Sequence, residues 1–410
     1  MNPFLIIILV ALAAEFILHI VSELLNLKAL KLDPPAELEG IYKPDEYCNS
    51  QEYTRVNTRF DLVSSTFHLL VLLAFWFGDG FNFLDQIVRS WGFIPLVNGL
   101  FYIAILMFGY SILTLPFSIY STFVIEEKFG FNRTTVRTFI LDHIKGLALS
   151  ILLGAPLLAG ILSLFEYAGT YAWIYCWIIV VLYSLIVQFV APTWIMPLFN
   201  KFTPMEPGEL REAIMGYAGS VKFPVKNVFV IDGSRRSSKS NAFFTGFGRN
   251  KRIALFDTLI ERHTVPELVA VLAHEIGHHK KKHVPQGMII GILHTGLLLF
   301  LLSVFLNSPG LYEAFFMDQP SIYTGLLFFG LLYTPIELVL SVVLNMLSRK
   351  NEYEADRFAA DTIEEPQSMI NALKKLSADN LSNLSPHPFY VFLNYSHPPL
   401  LQRIQAIRRD

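Results

Sequence analysis

Ala273-His274-Glu275-Ile276-Gly277-His278-His279 is an H-E-x-x-H pattern lying beyond the middle of the chain. On a helix, residues four apart project from one face, so His274 and His278 present two imidazole nitrogens side by side. Paired imidazoles can fill two corners of a tetrahedral zinc site. Glu275 is turned away from the pair but lies close enough to polarise a water and take its proton. Hydrolytic chemistry of this kind needs a third protein ligand and one open coordination position. The spacing therefore predicts one Zn2+ per chain and poses the question of where the third ligand lies. The preceding residues support a helix. Pro266 stands near its start, Thr264 is placed as the N-cap, and Glu267 three residues on completes a capping box.

A second chemical stretch is Asn351-Glu352-Tyr353-Glu354-Ala355-Asp356. At helical spacing Glu352 and Asp356 share a face, while Glu354 points elsewhere. Glu352 is the expected third ligand through a carboxylate oxygen, with Asp356 accepting the free N–H of a ligand histidine. Taken alone, the same pattern equally suits a charged, solvated helix extension. Depth favours the ligand reading. Glu352 follows an apolar run by roughly 7–8 Å of helix, and His278 precedes the next apolar run by about 9–10 Å. The two halves of the site would then meet just off a membrane surface, which suits a substrate held in or at the membrane. His279 and His283 run into Lys280-Lys281-Lys282 and are expected to be solvated.

The elements that must position these residues are membrane helices. Among 410 residues, 53% are hydrophobic and only 16% charged, too apolar for an ordinary water-facing surface. Apolar runs at 3–27, 61–77, 93–125, 146–165, 171–199, 284–306 and 321–347 give seven spans, the third with Pro116 as an expected kink. The first run lacks a basic leader and continues past Ala11-Leu12-Ala13, so it reads as a retained helix. Within the spans, Glu15, His19, His68, His294 and Glu337 are expected to face protein or water. Residues 201–283 change character. Asn227–Ile231 is strand-like, and 241–247 with 252–256 read as a β-hairpin. The fold expected is a polytopic membrane protein with residues 1–200 forming five helices and 285–347 two more. A zincin-like α+β catalytic domain is then assembled from 201–284 and 348–410. Of the 32 Lys and Arg residues, all except Arg89 fall on one side of this arrangement, which the positive-inside rule assigns to the cytosol. Net charge −2 says nothing about nucleic acid, but no basic RNA- or DNA-binding motif appears and no nucleic-acid partner is expected; Cys48 and Cys176 are expected as free thiols.

With both motifs and the spans in place, the chain resembles the integral-membrane zinc proteases that include the type I CaaX prenyl endopeptidase. The likeness also rests on Val124-Ile-Glu-Glu-Lys-Phe-Gly-Phe-Asn132, Ser237-Ser-Lys-Ser-Asn241-Ala-Phe-Phe, Lys251-Arg-Ile-Ala-Leu-Phe-Asp-Thr-Leu259 and Tyr395-Ser-His397-Pro-Pro-Leu-Leu-Gln-Arg403. It implies zinc ligands His274, His278 and Glu352, and Glu275 as general base. It further implies His397 and Arg403 at the oxyanion and substrate, and Asn241, Ala242 and Phe243 in a substrate-aligning edge strand. A water-filled chamber enclosed by seven helices is part of the same expectation. The residues themselves leave plainer readings open: His397 as a turn residue, Arg403 as a surface helix residue and Asn241 as a strand cap. The implied partners are a peptide or prenylated protein substrate and the lipid bilayer, with loss of a C-terminal tripeptide. The membrane would be the endoplasmic reticulum of a eukaryote or the cytoplasmic membrane of a bacterium. A quality-control protease of the same chemistry is the alternative in a bacterium. A transporter or channel is the alternative outside enzymes.

Overall fold

Apolar segments in a bilayer must satisfy their own backbone groups, and here the long ones do so as helices. The computed structural model describes residues 2–31, 33, 38, 44–225, 227–245 and 252–408. The first part of the chain forms α1 (Pro3–Ala29), α2 (Pro44–Phe77), the short α3 (Gly80–Ser90), α4 (Pro95–Glu126), α5 (Val136–Tyr167) and α6 (Gly169–Phe199). Next come β1 (Phe202–Pro204), α7 (Glu209–Ser220), β2 (Asn227–Ile231), β3 (Ala242–Thr245), β4 (Arg252–Phe256), α8 (Asp257–Arg262) and α9 (Val265–Lys280). The chain closes with α10 (His283–Phe305), α11 (Pro309–Glu313), α12 (Ile322–Thr362), α13 (Pro366–Asp379), α14 (Pro388–Asn394) and α15 (Leu400–Arg408). Seven helices, α1, α2, α4, α5, α6, α10 and α12, are long and apolar enough to cross a membrane.

These helices divide their side chains between a packed interior and an apolar exterior. Ile8, Trp76, Cys176, Leu302 and Phe328 belong to one buried core joining α1, α2, α6, α10 and α12. Val10, Leu70, Leu152, Ile186, Leu293 and Val339 remain exposed, as suits lipid-facing surfaces. α4 passes through Pro116 without breaking and relaxes into wider π turns over Ser121–Glu126. The isolated Arg89 lies on α3, where it pairs with Asp85 at 2.6 Å. Polar residues in the spans mostly find partners. His19 reaches Asp61 at 3.1 Å, His68 lies 3.3 Å from Ser64, and His294 lies 3.1 Å from Tyr333 and 3.3 Å from Glu337. Glu15 stays exposed on the helix face it shares with His19. Cys48 and Cys176 are both free.

The sheet has the order β1-β2-β4-β3. β2 and β4 run parallel with Asn227 opposite Arg252, and β3 returns antiparallel to β4 from Thr245 opposite Arg252 to Ala242 opposite Leu255. The expected hairpin is therefore present, with β3 on the edge. Its turn at 246–251 and the side chain of Phe243 lie outside the described residues. One core draws on both halves of the polar sequence: Ile214, Val228, Leu255, Leu268 and Leu272 pack with Ala359, Met369 and Leu373. The segment leading into β3 is tied to the membrane helices. Lys239 Nζ lies 2.9 Å from Glu126 and donates to Tyr53 Oη at 2.8 Å, and Arg236 makes two bonds to Asp142 at 2.8 and 2.9 Å.

Candidate active site

Two helices build the site. α9 begins with the expected capping box, in which the Thr264 backbone N–H donates to Glu267 at 2.8 Å. Lys375 Nζ holds the same carboxylate at 2.6 Å. One turn apart near the end of α9, His274 and His278 bring their Nε2 atoms to 3.1 Å. α12 is a single 41-residue helix that continues beyond its apolar run to carry Glu352 and Asp356. Glu352 Oε1 lies 3.2 Å from His278 Nε2, and Oε2 lies 3.4 Å from His274 Nε2. Donor atoms bonded tetrahedrally at about 2.0–2.1 Å stand roughly 3.3 Å apart, so the three side chains fit one zinc ion. Glu352 supports this fit further, because its Oε2 is buried without a hydrogen-bond donor.

A close helix contact makes the convergence possible. A methyl group placed on Gly277 would lie 3.0 Å from the Ala355 carbonyl oxygen and 3.1 Å from its Cα. Glycine is what permits α9 and α12 to touch backbone to backbone.

His274 and His278 are each held from behind. His274 Nδ1 lies 2.8 Å from Asp356 Oδ1, which fixes the tautomer and leaves the Nε2 lone pair for the metal. Asp356 is almost completely buried and takes two bonds from Arg403, from Nε at 2.7 Å and from Nη2 at 2.6 Å. Arg403 thus grips the residue that orients His274. His278 Nδ1 faces His283 Nδ1 at 3.0 Å, and His283 Nε2 lies 3.2 Å from Glu354. His283 is buried, so the expectation that it is solvated is corrected; Glu354 does point elsewhere than Glu352 and Asp356, and from there it meets His283. The cause is Lys282, whose left-handed φ of 65° turns the chain between α9 and α10 and folds His283 back over His278. His279 is not free in solvent either; its ring packs edge-on against Phe223, with centroids 5.1 Å apart.

The remaining candidates surround this centre. Glu275 is half-buried, and among the described residues no group donates a hydrogen bond to it. Burial is the largest influence on its carboxyl and raises its pKa, against the opposing pull of His274 and His278. His397 is exposed, with Nε2 3.3 Å from Glu352 Oε1 and Nδ1 2.9 Å from Ser396 Oγ. Asn241 is exposed at the start of the edge strand, its side-chain oxygen accepting from the Ala242 N–H at 2.8 Å. β3 also lies against α9.

A histidine pair and a carboxylate from crossing helices, set where membrane spans end, define a membrane-embedded metallopeptidase. Comparison with known proteins agrees along the whole chain. Residues 23–201 match the CAAX prenyl protease N-terminal region with five membrane helices, and residues 204–410 match peptidase family M48. The chain is 38% identical to a CAAX prenyl protease 1 homolog of Oryza sativa subsp. japonica, covering 99% of this chain and 97% of that protein. It is also 38% identical to the Arabidopsis thaliana homolog, over 96% of this chain and 94% of that one. The crystal structure of S. mikatae Ste24p superposes with a TM-score of 0.94 at 34% identity, with both chains fully covered. The chain belongs to peptidase family M48, and it is a metalloendopeptidase.

Three outcomes are expected. Gly277→Ala should separate the two helices, costing about 1–3 kcal/mol of stability; thermal unfolding in detergent would show it together with a fall in bound metal. His283→Ala should lower metal affinity about 10–100-fold with the fold retained, as measured by chelator competition. The third concerns pH. Burial opposes a charge on His274, but Asp356 and Glu352 outweigh it and push the imidazole up to about 9. Metal must displace that proton, so apparent zinc affinity should fall about tenfold for each pH unit lowered below that value, as read by metal titration.

Proposed function

We propose that this protein is a zinc-dependent endopeptidase that removes the C-terminal tripeptide from prenylated CaaX proteins. In this reading it acts at the cytosolic surface of its membrane, that of the endoplasmic reticulum if the cell is eukaryotic. The observation that carries it is the meeting of His274, His278 and Glu352 at the ends of membrane spans. In this reading 201–284 and 348–410 form one catalytic unit, for which the shared apolar core is the support. Likeness to the CAAX prenyl protease 1 homologs supplies the substrate class.

His274, His278 and Glu352 would hold the ion, which when bound supplies Lewis acidity toward water and the scissile carbonyl. Glu275 takes a proton from the attacking water and delivers it to the leaving amine, a role suited to a carboxylate that has no hydrogen-bond donor among the described residues and a raised pKa. His397, exposed beside Glu352, donates to the carbonyl oxygen as negative charge develops there. Arg403 acts through Asp356 to keep His274 in place, and its charge lies 3.5 Å from Glu352. Asn241, Ala242 and Phe243 lie at the start of the sheet's edge strand, whose outer side can pair with an extended peptide.

The test is cleavage of a farnesylated CaaX peptide against its unprenylated counterpart, with and without a chelator. Glu275→Gln should keep the metal yet lower kcat by about 10²–10⁴, and the unprenylated peptide should show a lower kcat/KM. Equal cleavage of the two peptides would overturn the substrate assignment; an undiminished Glu275→Gln variant would overturn the catalytic one.

A further inference from the structure

Away from the metal ligands, α1, α12 and α14 border a cavity of about 800 Å³. Three cations line it: Lys28, Lys31 and Arg349. Among the described residues none of the three is paired with a carboxylate. Arg349 is half-buried and spends Nη1 on the carbonyls of Val391, at 3.1 Å, and Tyr395. His387 adds a neutral donor to the same wall. Its Nδ1 accepts the Phe389 N–H at 3.1 Å, so in the neutral ring the proton sits on Nε2. Apolar surface completes the lining through Val391 and the exposed Phe392.

Depth identifies the ligand class. Lys28 directly follows the apolar run 3–27, and Arg349 stands two residues beyond the run 321–347. The cavity therefore lies where hydrocarbon gives way to headgroups, with its cations at headgroup level and Phe392 beside them. Positive charge that has no carboxylate partner among the described residues attracts anionic lipid at that depth, each basic residue contributing about 1 kcal/mol near such a surface. A cavity of this size also matches a headgroup rather than a bare ion.

We propose that this cavity binds the phosphate-bearing headgroup of an anionic phospholipid from the surrounding bilayer. The site is distinct from the metal centre but close to it. Arg349 precedes Glu352 by three residues, and the strap it holds at Val391 and Tyr395 leads on to His397. A bound headgroup would share Arg349 with that strap.

The experiment is native mass spectrometry of the full-length protein from micelles containing phosphatidylinositol or phosphatidylcholine, with lipid affinity obtained by titration. Two variants are compared with the parent. Lys28→Glu/Lys31→Glu alters the cavity; Lys201→Glu/Lys222→Glu makes the same charge change at exposed lysines outside it. The parent should retain phosphatidylinositol in preference to phosphatidylcholine. The cavity variant should bind phosphatidylinositol about thirtyfold more weakly or worse, while unchanged zinc content and thermal midpoint show it to be folded. The control variant should bind as the parent does. Equal retention of the two lipids by the parent, undiminished binding in the cavity variant, or an equal loss in the control would overturn the proposal. Displacement of phosphatidylinositol by millimolar inorganic phosphate would also overturn it, by assigning the site to free phosphate.

Discussion

The close approach of α9 and α12 at Gly277 and Ala355 is the contact on which the site depends. Separate elements supply the histidines and the carboxylate, and neither element carries all three side chains. Side chains as short as glutamate reach two facing imidazoles only when the backbones nearly touch. Close-packed interiors move little to absorb added volume, so a methyl group at this contact would disturb the spacing of the donor atoms.

Bringing these groups together buries charge, and the structure answers with pairing rather than exposure. Asp356 would be costly where it lies without Arg403, whose two bonds neutralise it and leave one oxygen also close to His274. On the other side, His283 relays between His278 and the more exposed Glu354. His274 and His278 are thus oriented by different means. One rests on a buried ion pair, the other on an imidazole backed by a half-exposed carboxylate. The second arrangement is the softer of the two, since Glu354 is also shared with Lys350 at 3.8 Å.

Much of this was legible in the residues, for reasons that are local. Seven apolar runs became seven long helices because length and composition alone decide that outcome. The capping box, the pairing of β3 with β4, and the common face of Glu352 and Asp356 all follow from short-range spacing. His283 was not legible. Five residues after His278, it would point away if the helix continued, and only the left-handed turn at Lys282 reverses it. Arg403 carried no local mark of its partner, 47 residues earlier in the chain. The parallel pairing of β2 with β4 joins strands separated by β3, so adjacency in sequence gave no guide to the sheet order. The reach of Lys239 to Tyr53 and Glu126 likewise depends on how distant segments meet.

α12 crosses the apolar zone and carries Glu352 and Asp356 without interruption, a rod of about 60 Å for its 41 residues. The histidines, by contrast, sit on α9, which ends at the turn before α10. Membrane thickness acts on the tilt of a spanning rod, and a few degrees at its far end become ångströms at its tip. The carboxylate therefore stands on a helix that runs from the apolar zone into the same core that holds the histidines, where Ala359 packs with Leu268 and Leu272. Anything that tilts this helix is thus opposed by the close contact at Gly277.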